Sequence, residues 1–133
     1  MISKVFYKGE LRTEAVHISS GNKIVTDAPK DNEGKGEAFS PTDLVATALA
    51  GCILTIMGIV AKRLNQDLSG TFAEVEKSMG SKPRSISRIK VTIFFSKKIL
   101  KKDRAKFERA AKTCPVSLSL NSDLVKVINF IYQ

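Results

Sequence analysis

The longest apolar run of the chain extends from Leu44 to Ala61, where every residue is apolar, small or threonine. Ser40 precedes this run as a helix N-cap, Pro41 suits the first helical position, and Asp43 suits a capping acid. The pattern therefore predicts one long helix from Ser40 to Gln66, buried on nearly all sides.

Strand-like alternation occurs on both sides of this helix, most clearly in 86–95, where Ile89, Val91, Ile93 and Phe95 share one face. A second helix is predicted over about 100–113, and Pro115 ends it. The predicted strands are 3–18, 23–28, 71–77, 86–95 and 124–132.

The order ββ-α-ββ-α-β predicts an α+β fold, in which the long helix lies against a sheet of antiparallel strands. A length of 133 residues is suitable for a single domain over 1–133. Such a helix is apolar on more sides than one small sheet can cover. Its small residues Ala48, Gly51, Thr55 and Gly58 lie near one side, so we expect a homodimer through this helix.

The same apolar run is about as long as a minimal transmembrane span. No Trp or Tyr flanks it, however, which favours a core helix over a span. The segment Met1 to Val5 is short and charged, without the apolar region of a signal peptide. We therefore expect a cytoplasmic protein without a membrane segment.

The net charge of +9 is concentrated in one segment. Residues 77–112 contain thirteen Lys or Arg against two acids, Asp103 and Glu108, which gives this segment +11. A basic segment can bind nucleic acid or an acidic partner, or it can simply be a solvated surface. The only aromatic residues of this segment are Phe94, Phe95 and Phe107. It therefore lacks a base-stacking surface, and nucleic-acid binding is not expected.

The chain has two cysteines, Cys52 and Cys114, and a single His. These are too few for a convincing zinc site, and no nucleotide-binding motif is present, so neither metal nor cofactor is expected. Each cysteine could be a small core residue, or the two could form a redox pair. If Pro115 begins a helical turn, Cys114 lies at its N-terminus, where a thiolate is stabilised. Cys52 lies within a helix and would need a cation from elsewhere.

Three segments, GEAFSPTDLVATALAGC, MGSKPRSIS and TCPVSLSL, resemble the OsmC/Ohr family of osmotically inducible and organic-hydroperoxide-resistance proteins. The resemblance covers most of the chain. It implies an intertwined homodimer with the long helices packed centrally and two active sites at the interface. It also implies that the apolar helix does not span a membrane.

The resemblance further implies roles for both cysteines. Cys52 matches the peroxidatic cysteine, which is oxidised to a sulfenic acid by the peroxide, and Cys114 matches the resolving cysteine, which then forms a disulfide with it. In this family a lipoyl-type dithiol usually reduces the disulfide.

Two other features of the family are less directly matched. A glutamate follows the Ser-Pro or Asn-Pro pair in its peroxidases, whereas this chain has Thr42 there and Asp43 next. Asp43 lies about 13 Å from Cys52 along the helix and on the other side, so it either caps its own helix, which we favour, or serves the partner's site. For the activating arginine, Arg12 is the candidate, with Lys30 and Lys35 as alternatives.

These features lead to the hypothesis of a thiol-dependent peroxidase that reduces organic hydroperoxides in the response to oxidative stress. Apolar residues expected near the site, among them Ile53, Met57 and Phe107, favour an organic substrate. The alternative is an OsmC-like scaffold that binds a small apolar ligand at the dimer interface with little or no turnover. A basic nucleic-acid-binding protein is the third hypothesis.

Overall fold

The computed structural model describes all 133 residues, which form six strands, three α-helices and one short 3-10 helix at Lys30–Asn32. The chain divides into two compact units, Met1–Val45 and Ala46–Gln133, which are described separately below. The elements are β1 (Ser3–Gly9), β2 (Arg12–His17), β3 (Lys23–Asp27), α1 (Pro41–Arg63), β4 (Phe72–Gly80), β5 (Ser85–Phe94), α2 (Lys101–Lys112), α3 (Pro115–Ser119) and β6 (Val125–Ile131).

The first unit contains a three-stranded antiparallel sheet in the order β1-β2-β3. The single strand region predicted over 3–18 is wrong, because the chain reverses between β1 and β2. Glu10 and Leu11 form this turn with φ values of 52° and 62°, after Gly9 at 84°. Tight hairpin turns favour Asn-Gly or Asp-Gly at such positions, and their absence here leaves a single glycine, Gly9, as a weak turn signal.

The second unit contains a sheet in the order β4-β5-β6. Strands β4 and β5 are antiparallel, but β6 is parallel to β5. The α+β class is confirmed, whereas the prediction of antiparallel strands throughout is wrong at β6. Parallel neighbours need a long crossover, and α2 and α3 lie in the connection that provides it.

The core of the second unit lies on one face of this sheet. Ile89, Val91 and Ile93 share one face of β5, as the sequence predicts, and are fully buried, whereas the residues between them are only partly buried. They belong to the same cluster as Ile53 of α1 and Phe107 of α2. The two helices are thus packed on the sheet through their apolar sides.

Helix α1 begins at Pro41 as predicted and ends three residues before the predicted end. Within the chain it is buried on one side only, through residues such as Leu49, Ile53 and Met57. The opposite side is accessible and carries the small residues Ala48, Gly51 and Thr55. The expectation of burial on nearly all sides therefore does not hold for the single chain.

By length and composition α1 could cross a membrane, since its most apolar window has a mean hydropathy of 2.4. A core helix of a soluble protein passes the same test. Its buried side belongs to the hydrophobic cluster shared with the sheet, as in such a core helix.

A single domain over 1–133 stays a prediction.

Candidate active site

The start of α1 has the capping interaction that the sequence predicts. The backbone N–H of Asp43 donates to Ser40 Oγ at 3.0 Å, and the backbone N–H of Ser40 donates to Asp43 Oδ2 at 2.9 Å. This reciprocal pair satisfies two donors that the helix itself leaves open. Asp43 therefore caps its own helix, and a role in a partner's site stays a prediction.

Cys52 lies on α1 and is partly accessible to solvent. It is four residues after Ala48, which places it about 40° from Ala48 around the helix axis. Cys52 thus lies at the edge between the buried side of α1 and the accessible side with the small residues. A nucleophilic thiol needs this kind of partial access.

Cys114 is the N-cap of α3, and Pro115 is at the first helical position. The helical turn suggested by the sequence after Cys114 is confirmed. The backbone N–H of Ser117 donates to Cys114 Sγ at 3.3 Å. This sulfur therefore takes the place that a Ser or Asp oxygen usually has at a helix start.

Burial decides the ionisation of Cys114. Its side chain is fully buried, and this burial raises the pKa of the thiol, although the hydrogen bond from Ser117 acts in the opposite direction. The expectation that the turn would stabilise a Cys114 thiolate is wrong in its net effect, because desolvation of the charge outweighs the two backbone hydrogen bonds, from Ser117 and Val116, that lower its pKa. Cys114 is a neutral thiol at neutral pH.

The two thiols lie close together. The proximity of Cys52 raises the pKa of the Cys114 thiol further, and both cysteines are free thiols. The fold thus brings together the two cysteines that the sequence analysis singled out.

The first unit holds the candidate cations. Arg12 donates two hydrogen bonds to the carboxylate of Asp27, from Nε and Nη2, each at 2.7 Å, and its Nη2 also contacts Glu37 Oε2 at 3.2 Å. Asp27 is only 1 % exposed and also accepts a hydrogen bond from the backbone of Glu37. Arg12 lowers the pKa of Asp27 and its own pKa is raised. Of the two alternatives, Lys35 pairs with Glu10.

Asp27 and Ser117 are the partners that sequence reasoning missed. The position of Ser117, three residues after Cys114, is the usual position of the backbone N–H that an N-cap side chain binds. Asp27 carries no comparable local signal. No group of three or more His, Cys, Asp or Glu side chains has an arrangement that could hold a metal ion.

The sequence profile of the OsmC-like protein family matches residues 34–128 of this chain. A crystal structure from Psychrobacter arcticus, provisionally described as an osmotic stress induced and detoxification response protein, is 48 % identical, with a TM-score of 0.96, over 98 % of this chain and 96 % of that one. No curated protein matches the sequence.

Two more distant structures show the same fold. The organic hydroperoxide resistance protein OsmC of Legionella pneumophila is 18 % identical, with a TM-score of 0.77, over 97 % of this chain and 94 % of that one. The organic hydroperoxide resistance protein of Elizabethkingia anophelis is 12 % identical, with a TM-score of 0.77, over 100 % of this chain and 97 % of that one.

Proposed function

Because the chain belongs to the OsmC-like protein family, we propose that it reduces organic hydroperoxides with Cys52 and Cys114 as its redox pair. The observation that carries the proposal is the proximity of the two thiols, one partly accessible and one fully buried. Two proteins of the same fold are named for organic hydroperoxide resistance, and a closer one for detoxification. These names support a role in the response to oxidative stress.

The first step is attack by the Cys52 thiolate on the terminal oxygen of the hydroperoxide. The O–O bond breaks, the alcohol leaves after taking up a proton, and Cys52 becomes a sulfenic acid. Burial keeps Cys114 as a neutral thiol, so Cys52 is proposed as the attacking sulfur. The partial access of Cys52 lets the peroxide reach it.

In the second step the sulfur of Cys114 attacks the sulfenic sulfur of Cys52, a disulfide forms and water leaves. The proximity of the two thiols supports this step, since a disulfide needs the two cysteines close to each other. A dithiol, lipoyl-type by resemblance, then returns two electrons and two protons. We also propose a cytoplasmic location, where reducing conditions would favour the return of the pair to free thiols.

The preference for organic over inorganic peroxide rests on the apolar surroundings of the pair. Ile53, Met57 and Phe107 are fully buried in the core and contribute packing rather than an open surface. Val116 and Leu120, which follow Cys114, are only partly buried and pack against the same cluster. Contact with an alkyl group would favour a peroxide that carries one.

Arg12 is the proposed source of the cation that the attacking thiolate needs, with Lys30 and Lys35 as the alternatives. The ion pairs of Arg12 with Asp27 and Glu37 hold its guanidinium in one orientation. An isologous homodimer through the accessible side of α1 is part of the same proposal. That side carries residues small enough for two helices to approach closely, and Cys52 lies at its edge.

Stopped-flow oxidation of the thiols by cumene hydroperoxide tests the chemistry. Cys52→Ser should abolish rapid oxidation, whereas Cys114→Ser should allow one rapid turnover and then accumulate a sulfenic acid at Cys52 that oxidises further. Arg12→Met should slow the first step, and Arg88→Met, which removes an exposed arginine of β5, is its control.

Two outcomes would refute this function. In one, Cys52→Ser reacts as fast as wild type. In the other, wild type reacts no faster than a free thiol such as glutathione. Either result would favour the alternative of a scaffold that holds a small apolar ligand, which needs no thiol chemistry.

A further inference from the structure

The exposed side of α2 carries positive charge without any acid. Its exposed residues are Lys101, Lys102, Ala105, Lys106, Arg109 and Lys112. Both acids of the helix are held by contacts within the chain. Asp103 is only 4 % exposed and accepts a hydrogen bond from Gln66 Nε2 at 2.9 Å, and the half-buried Glu108 accepts one from Tyr132 Oη at 2.7 Å. The helix therefore presents a one-sided cationic surface to solvent.

Four of these cations take part in no ion pair within the chain, namely Lys101, Lys102, Arg109 and Lys112. Lys106 differs, because its Nζ contacts Asp103 Oδ1 at 3.4 Å. At about 100° per residue, the four unpaired cations lie within about 100° of the helix circumference, along about 17 Å of helix. These four residues form one stripe, the basic face of α2.

The composition of this surface fits an anionic bilayer better than a nucleic acid. Several Lys or Arg on one side of an amphipathic helix are typical of binding to anionic lipid headgroups. Ala105 lies among the four cations, and no amide, hydroxyl or aromatic side chain of α2 is exposed there to contact bases. Leu100, which directly precedes α2, is 52 % exposed. A leucine gains from transfer into the headgroup boundary of a bilayer but not from contact with phosphates.

We infer that the basic face of α2, together with Leu100, binds the surface of a bilayer that contains anionic lipids. The lysines and the arginine contact the lipid phosphates by charge-assisted hydrogen bonds, and Leu100 enters the headgroup region. This contact is peripheral and needs no membrane-spanning segment. The binding does not depend on the proposed function, whereas its use does: hydroperoxides with long alkyl chains partition into bilayers, so the contact would bring the proposed enzyme to its substrate.

Sedimentation with unilamellar vesicles tests the binding. Wild type should bind vesicles of phosphatidylcholine with about one-third phosphatidylglycerol, and should bind pure phosphatidylcholine at least about tenfold more weakly. Lys102→Gln/Arg109→Gln should weaken binding to the anionic vesicles about 25-fold, since each cation near an anionic surface contributes about fivefold in affinity. Lys82→Gln/Arg88→Gln removes the same charges from exposed positions before and within β5, and should change this binding less than about twofold.

Leu100→Ser distinguishes a bilayer from other polyanions. Serine is a better N-cap than leucine, so α2 should stay folded in this variant. The affinity of the variant for the anionic vesicles should fall about fivefold, because a partly inserted leucine is lost, whereas its affinity for a DNA duplex at low salt should not change. Equal binding to both kinds of vesicle, equal effects of the two double variants, or no effect of Leu100→Ser on vesicle binding would each overturn the inference.

Kinetics then test whether the contact serves the proposed reaction. Lys102→Gln/Arg109→Gln should reduce cumene hydroperoxide in solution at the wild-type rate, but should lose most of its rate with a long-chain alkyl hydroperoxide carried in the anionic vesicles. An unchanged rate with the vesicle-bound peroxide, despite lost binding, would show that the contact does not deliver substrate. Failure of the proposed function would instead appear as absent turnover in both assays with intact vesicle binding.

Discussion

At the scale of single residues, the Arg12–Asp27 pair determines how the first unit responds to acid. Asp27 is almost completely buried, and its carboxylate is satisfied by two hydrogen bonds from Arg12 and one from the backbone of Glu37. Such a carboxylate stays charged at a pH where an exposed one is already protonated. The interaction therefore links protonation to folding.

The pH dependence of unfolding tests this link. The pKa of Asp27 is lowered from its ordinary value of 3.8, so its contribution to stability is complete above the unfolded pKa and is lost as pH falls through the folded pKa. Asp27→Asn should therefore lower the Tm at pH 7, and its difference from wild type should stay constant until the pH falls below 3.8 and shrink only below that value. The exposed Asp123→Asn is the control and should follow wild type. A difference in Tm that is constant with pH would show that the charge of Asp27 does not stabilise the fold.

The candidate site could be predicted from the sequence only where its signals are local. The caps at Ser40 and Cys114 depend on residues within three positions, and the sequence reveals both. The pairing of Arg12 with Asp27 depends instead on the register of β2 against β3, which places these two residues opposite each other. Register is set by packing of the whole sheet, so the sequence does not reveal this partner.

At the scale of elements, the prediction is most accurate for long periodic segments. Helix α1, helix α2 and strand β5 all lie within a few residues of their predicted ends. The turn between β1 and β2 and the parallel direction of β6 were missed. A parallel strand and an antiparallel strand show the same alternation of side chains, so the sequence pattern does not distinguish them. The direction of a strand depends on the neighbour with which it pairs after a crossover.

Helix α1 offers a test of the proposed dimer. A Cβ added to Gly51 meets no atom within 4 Å in the single chain, and leucine favours a helix over glycine by about 1 kcal/mol. Gly51→Leu should thus leave the folded chain intact but separate two helices that meet at this side. Sedimentation should show a wild-type dimer at micromolar concentration and a Gly51→Leu monomer. Ala105→Leu, at an exposed position of α2, should remain a dimer.

The dimer proposal would be contradicted by a wild-type monomer at that concentration. A Gly51→Leu protein that still sediments as a dimer would contradict the contact through this side of α1, but not dimerisation through another surface.

At the scale of the whole molecule, ion pairs neutralise part of the positive charge in the basic segment that carries most of it. In the basic segment 77–112, Lys90 pairs with Glu76 at 2.8 Å, and Lys106 contacts Asp103 at 3.4 Å. Lys97 pairs with Asp67. These pairs reduce the positive charge available to a polyanion.

We therefore expect weak, sequence-independent binding to DNA. Counterion release makes such binding fall steeply between about 50 mM and about 200 mM salt, so fluorescence anisotropy with a labelled duplex should show none at the upper value. An unrelated duplex of the same length is the control for sequence preference. Tight binding at the higher salt concentration would instead support the hypothesis of a nucleic-acid-binding protein.

The parallel pairing of β5 with β6 also bears on the synthesis of the chain. A parallel pair closes only after its crossover and its second strand exist, and the crossover here contains Cys114. Cys52 is synthesised well before β6, because more than half of the chain length separates the two. The nascent chain thus exposes Cys52 before Cys114 can be fixed in place, so the proposed redox pair can form only late in synthesis.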